Sequence, residues 1–132
     1  MKRRIGLVTL VVRDYDEALA FYRDKLGFTV AEDTDLGGGK RWLVVGPAET
    51  DAGGCRLLLA QASNDAQADR AGDQTGGRVG FFLETDDFER DLAAFSAAGV
   101  RFLGPPRHEP YGTVAVFADL YGNTWDLIEH AR

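Results

Sequence analysis

Short β-branched runs alternate along the chain with amphipathic stretches, and the alternation occurs twice. Ile5 to Val12 is a continuous apolar run suited to a strand buried on both faces. Ala18, Leu19, Tyr22 and Leu26 then recur at steps of three and four, which predicts a helix with one apolar face. Asp14 or Asp16 can cap it, and Gly27 is a natural stop. Phe28 to Ala31, Arg41 to Val45 and Arg56 to Ala60 read as strands, separated by the turns Gly37-Gly38-Gly39 and Gly53-Gly54. The first half is therefore β-α-β-β-β.

The second half repeats the order. Val79 to Glu84 is a strand, Asp87 caps a helix carrying Leu92 and Phe95, and Gly99 ends it. Val100 to Leu103, Thr113 to Ala118 and Thr124 to Glu129 are three further strands. Asp14 aligns with Asp87, Leu19 with Leu92, Tyr22 with Phe95, and Gly54 with Gly122 ahead of each closing strand. Gln61 to Gly77 is polar and rich in Ala, Asp and Gln, and reads as a linker with room for one helical turn. The expectation is an α+β fold made of two paired βαβββ modules, because one module alone leaves a sheet face bare. Module one spans 1–60, the linker 61–77 and module two 78–132, together one domain over 1–132.

Composition narrows the function classes. A chain of 132 residues with 45% apolar and 27% charged content can bury one substantial core. Its 21 acidic against 15 basic residues give a net charge of −6, which disfavours nucleic acid as a partner, since such binding depends on basic patches. No stretch approaches the roughly 20 apolar residues of a membrane span. Met1-Lys2-Arg3-Arg4 is basic, but the apolar run behind it is too short for a signal-peptide core, so a cytoplasmic protein is expected. Cys55 is the lone cysteine, which removes an intrachain disulfide and a cysteine-based metal site; a buried strand position is expected for it. Gly37-Gly38-Gly39 followed by Lys40 lacks the helix of a phosphate loop, and neither Ser63 nor Ser96 has the partners of a nucleophile.

Three segments resemble the vicinal oxygen chelate family, which includes glyoxalase I, extradiol dioxygenases and bleomycin-resistance proteins. VTLVVRDYDEALAFYRDKLGF is similar to the opening strand and helix of that family's module, and GFFLETDDFERDLAAFSAAGV to the same element of its second module. PYGTVAVFADLYGNTWDLIE is similar to its closing hairpin, with Leu120 and Tyr121 in place of the usual Pro and Asp. The resemblance covers nearly the whole chain outside 61–77. It implies a curled mixed sheet forming a cup with the helices outside, and a homodimer.

In the family's enzymes the cup holds a divalent metal, with ligands from the first and last strand of each module. The matching positions here are Leu7, Leu58, Gly80 and Asp126. Leucine and glycine offer no side-chain donor, whereas ions of the zinc, iron or manganese type take about three or four protein donors. No metal ligand and no cofactor are therefore expected. Of the two histidines, His130 is placed past the last strand at the surface, and His108 in a loop, either exposed or overhanging the cup.

Side chains alternate across a strand, so one cup-facing position fixes its neighbours at steps of two. The implied cup has a floor of Leu7, Leu58 and Phe82 around Asp126, with Arg56, Arg78, Thr9 and Glu84 toward the rim. Ile128 would face the cup beside Asp126, while Trp125 and Leu127 pack beneath the helices. Gly80 leaves room either for a ligand or for close packing, and Asp126 is either paired with Arg56 or Arg78 or free to act as an acid. Trp42 and Tyr111 are the aromatic candidates for contact with a flat ligand. The candidate binding residues are thus Thr9, Trp42, Arg56, Arg78, Phe82, Tyr111 and Asp126. The resulting expectation is a small-molecule-binding protein that takes a small organic molecule without a metal. Whether it is an enzyme stays open, the alternatives being a lyase or dioxygenase with non-standard ligands and a metal-free acid/base using Asp126.

Overall fold

A computed structural model of the chain describes residues 2–47 and 54–132. Gly53 of the expected Gly53-Gly54 turn lies outside these residues. The chain divides into two compact units, Met1–Ala71 and Gly72–Arg132. No helix among the described residues is long and apolar enough to cross a membrane.

The first unit holds β1 (Leu7–Val12), α1 (Tyr15–Tyr22), β2 (Thr29–Gly37), β3 (Lys40–Gly46), β4 (Arg56–Gln61) and the short α2 (Asp65–Ala68). Its sheet has the order β1-β4-β3-β2, with β1 and β4 parallel and the other pairs antiparallel. Asp14 rather than Asp16 caps α1, its Oδ1 accepting from the Glu17 amide at 2.8 Å. Leu10, Val12, Leu43, Val45, Leu57 and Leu59 are buried together with Ala18, Leu19 and Tyr22 of the helix. That set is one face of the sheet and the apolar stripe of α1, as the alternation requires.

The second unit repeats the plan with β5 (Phe81–Glu84), α3 (Phe88–Ala97), β6 (Arg101–Phe102), β7 (Arg107–Glu109), β8 (Gly112–Ala118) and β9 (Thr124–His130). The order is β5-β9-β8-β6, and β7 also pairs with β8. Asp87 caps α3 through the Arg90 amide at 3.0 Å. The core here is aromatic: Phe81 stacks on Trp125 at 4.6 Å, Trp125 on Phe117 at 5.9 Å, and Phe95 meets Phe117 edge-on at 5.7 Å. Trp125 and Leu127 therefore belong to the core, as the alternation predicts.

Both sheets share one register. Thr9 lies opposite Leu58 in the first, and Phe82 opposite Asp126 in the second, the positions that the sequence repeat equates. The fold is α+β, and its strand order is that of two βαβββ modules.

Several local expectations are corrected. β2 runs to Gly37 rather than ending at Ala31, because its polar half Glu32-Asp33-Thr34-Asp35 bonds to β3 along its length. The corresponding segment of the second unit is broken into β6 and β7; Pro105 and Pro106, which have no amide hydrogen, stand between them. His108 consequently lies in β7, paired with Thr113, and not in a loop. His130 is the last residue of β9, exposed, with its Nε2 hydrogen-bonded to the Glu84 carboxylate. Cys55 is exposed just before β4. Ile128, two positions from Asp126 on β9, is buried beside its register partner Val114.

Candidate functional site

The first unit carries a groove of about 640 Å³ between the tip of the β2–β3 hairpin and the segment after β4. Its floor is Leu58 and Ala60 of β4 and Thr9 of β1; Leu36 and Trp42 stand at the hairpin side. Two of the expected binding residues, Thr9 and Trp42, are thus brought to one concavity, and Leu58 lies between them. Trp42 is 38% exposed and Leu36 51%, so apolar surface there is open to a ligand. An apolar floor edged by polar side chains that can orient a ligand is a form that small-molecule sites take.

The hairpin that forms one wall is held by Arg41. Its guanidinium grips Asp33 through two hydrogen bonds of 3.1 and 2.7 Å and donates to Asp16 at the start of α1 at 2.8 Å. The Tyr15 hydroxyl accepts from the Arg41 amide at 3.1 Å, and the Arg41 cation sits 5.1 Å from the Tyr15 ring centre. These bonds raise the Arg41 pKa further above its ordinary value, the Asp33 hydrogen bonds contributing most. On the far wall, the Gln61 amide oxygen accepts from the Tyr15 amide at 3.2 Å. The Gln67 oxygen accepts from the amide and hydroxyl of Ser63 at 2.8 and 2.9 Å.

The other expected residues are placed elsewhere. Arg56 shares a face with Leu58, but its aliphatic chain lies over Gly46, where an added Cβ would be 3.4 Å from Arg56 Cγ. Arg78 precedes β5 and is exposed; its carbonyl accepts from the hydroxyls of Thr75 and Thr124. Tyr111 is 51% exposed in the β7–β8 turn. Phe82 and Asp126 are register partners on the second sheet, with Phe82 63% exposed.

Asp126 is the most unusual polar group of the second unit. Its Oδ1 is buried and accepts no hydrogen bond. Loss of hydration raises its pKa above the ordinary carboxylate value, and the field of Arg107 acts weakly the other way. Of the two alternatives open for Asp126, a pair with Arg56 or Arg78 or a free acid, the first is not found: no ion pair with either arginine occurs among the described residues. The cation that reaches it is Arg107, whose strand β7 lies across β8, where Arg107 faces Val114 and Val116 faces Asp126. Arg107 has its own partner in Glu109 at 3.5 Å.

The four positions that correspond to metal ligands in relatives do not fit a metal. Leu7 and Leu58 are hydrocarbon, and Asp126 supplies a single carboxylate. Gly80 has no side-chain donor, and an added Cβ would stand 2.9 Å from the Thr75 methyl, which favours close packing at this glycine. No three His, Cys, Asp or Glu side chains gather in one place among the described residues.

Sequence reasoning passed over Lys40, Leu36, Gln61 and Gln67, all of which line the groove. The signal for Lys40 was present in the step of two that carries Trp42 and Val44 on one face of β3. Leu36 depends on the length of β2, Gln61 on β4 running one residue past Ala60, and Gln67 on α2, none of which alternation reveals.

Comparison with known proteins agrees with this geometry. Residues 4–127 match the model of the Glyoxalase/Bleomycin resistance protein/Dioxygenase superfamily. An uncharacterized protein of Shewanella frigidimarina (strain NCIMB 400) is 52% identical over 130 residues, covering 98% of this chain and 95% of that one. Among solved structures, UcmS2 is similar at a TM-score of 0.81 and 34% identity, covering 97% of this chain and 98% of its own. TnmS3, an antibiotic binding protein from Streptomyces sp. CB03234, is similar at a TM-score of 0.75 and 29% identity, with 98% of each chain covered. The chain belongs to the Glyoxalase/Bleomycin resistance protein/Dioxygenase superfamily.

Proposed function

We propose that this protein binds a small, flat organic molecule of the antibiotic type in the groove of its first unit, and does so without a metal. The observation that carries the reading is the groove itself, where Trp42 stands over an apolar floor of Leu58 and Ala60. A planar ligand would gain from contact with the indole and from removal of apolar surface from water, at roughly 25 cal/mol per Å² buried. Thr9 would orient it. The likeness to TnmS3 over 98% of both chains supports this ligand class. The absence of donors at Leu7, Leu58 and Gly80 supports the metal-free part. On this reading Phe82 and Asp126 form a second contact set on the other unit, and Arg56, Arg78 and Tyr111 are peripheral. The protein would work in the cytoplasm as a homodimer, the arrangement common among relatives.

A thermal-shift screen with flat aromatic antibiotics and 2-oxo compounds tests this. At least one aromatic hit is expected, raising the melting temperature of the wild type and not of Trp42→Ala. A screen without any Trp42-dependent hit would sink the reading.

Asp126 supports a second reading, in which it serves as a metal-free acid or base, because its Oδ1 is buried and unpartnered. Turnover that survives chelation and disappears in Asp126→Asn would favour it over simple binding.

A further inference from the structure

We infer that the groove of the first unit selects aromatic molecules that carry an anionic oxygen group, such as a carboxylate, and that Lys40 is the residue that makes this choice. The inference rests on the reading of this groove as the ligand site and adds the ligand's charge to it.

Three observations point the same way. First, no Asp or Glu is among the described residues that line the groove, although the chain as a whole carries a charge of −6. The nearby acids Asp33 and Asp16 are turned to Arg41, and the Asp35 carboxylate accepts from the Gly37 amide in the hairpin turn. Second, of the two lining cations, Arg41 is committed to Asp33 and Asp16, whereas Lys40 takes part in no ion pair or hydrogen bond among the described residues. Lys40 has the same parity on β3 as Trp42, so the ammonium and the indole belong to one face of the hairpin.

Third, the two side-chain amides are polarised in one direction. The Gln61 oxygen faces the Tyr15 amide, and the Gln67 oxygen faces the Ser63 amide. A backbone N–H can only donate, so each of these contacts fixes oxygen toward the protein and leaves the NH₂ as the available end. Neither NH₂ has a partner among the described residues. Beside the Thr9 hydroxyl and the apolar floor, the groove therefore offers one cation outside any ion pair and two amide donors. A ligand that satisfies it brings acceptors on one edge, and a full negative charge uses Lys40 best. The overall acidity of the protein opposes an anion only at long range, and salt screens that beyond about 8 Å under physiological conditions.

Calorimetric titration of the full chain at low ionic strength, with three probes of one shape, tests the inference: 2-naphthoate, 2-naphthamide and 2-naphthylmethylammonium. The naphthoate should bind at least about tenfold more tightly than the ammonium compound, with the amide between them. Lys40→Met, which keeps the length of the side chain on an exposed hairpin position, should reduce the spread to about twofold. Trp42→Ala should weaken all three. Trp42-dependent binding without an anion preference would overturn the inference and leave the groove reading standing. An anion preference that survives Lys40→Met would remove Lys40 as its source. If no probe shows Trp42-dependent binding, both the inference and the reading beneath it fail.

Discussion

The buried carboxylate of Asp126 has a consequence for stability with a definite sign. Its Oδ1 is buried and accepts no hydrogen bond from the described residues, and Arg107 compensates only partly for the lost hydration. A carboxyl whose pKa is raised by folding disfavours the folded state once it ionises. Below the unfolded value of 3.8 the group is protonated in both states and costs nothing. The penalty grows as pH rises through the folded value and is complete above it. Asp126→Asn keeps the shape and removes the charge. A buried acceptor left without a donor costs about 1–3 kcal/mol, and the amide still has to be accommodated, so a net gain of about 1 kcal/mol is expected near neutrality. For a chain of this size that is about 4 °C in melting temperature. The assay is thermal unfolding of both proteins from about pH 4 to pH 8, reading the difference between them so that other titrating groups cancel. The variant should lead at high pH and lose its lead toward the acid end. A variant less stable than the wild type at neutral pH would show that the carboxylate has a partner, and a gain that does not change with pH would show that folding does not raise its pKa; either result overturns the expectation.

Other elements give equally direct expectations. Asp119 closes the β8–β9 turn, its Oδ1 accepting from the amides of Tyr121, Gly122 and Asn123 and its Oδ2 from the Asn123 side chain, each at 2.9 Å. Asp119→Ala should cost about 2–3 kcal/mol in urea unfolding, and a loss below about 0.5 kcal/mol would contradict that role. Arg41→Gln should release the hairpin wall from α1, costing about 1 kcal/mol and accelerating amide exchange in residues 34–42; unchanged exchange there would count against it. Gly80→Ala should cost about 1 kcal/mol through its clash with the Thr75 methyl, and Thr75→Ser should relieve most of that in the double variant, since serine lacks the methyl.

The repeat made most of the fold legible before any coordinates. Asp14 and Asp87 as caps, the glycine stop Gly99, and the shared register of Thr9–Leu58 and Phe82–Asp126 follow from local pattern and one internal alignment, whereas α1 ends at Tyr22 with Arg23 as its cap, short of the expected stop at Gly27. What was not legible depends on partners distant in sequence. Glu32 to Asp35 looks like a loop by composition and is a strand because β3 binds it. Arg107 reaches Asp126 only because β7 resumes pairing with β8 beyond Pro105-Pro106, a register that no periodicity in a three-residue strand discloses. Arg56 and Arg78 were natural guesses as partners of that carboxylate from parity alone, yet parity gives a face and not a contact. Trp42 and Lys40, two positions apart on β3, both line the groove, and the same alternation places both.

The central claim is that the groove around Trp42 holds its ligand without a metal. Calorimetric titration with an aromatic hit from the thermal-shift screen, before and after exhaustive dialysis against a chelator, tests it most directly. The same affinity is expected in both preparations, with its loss in Trp42→Ala. Binding that vanishes on chelation and returns when a divalent ion is restored would contradict it.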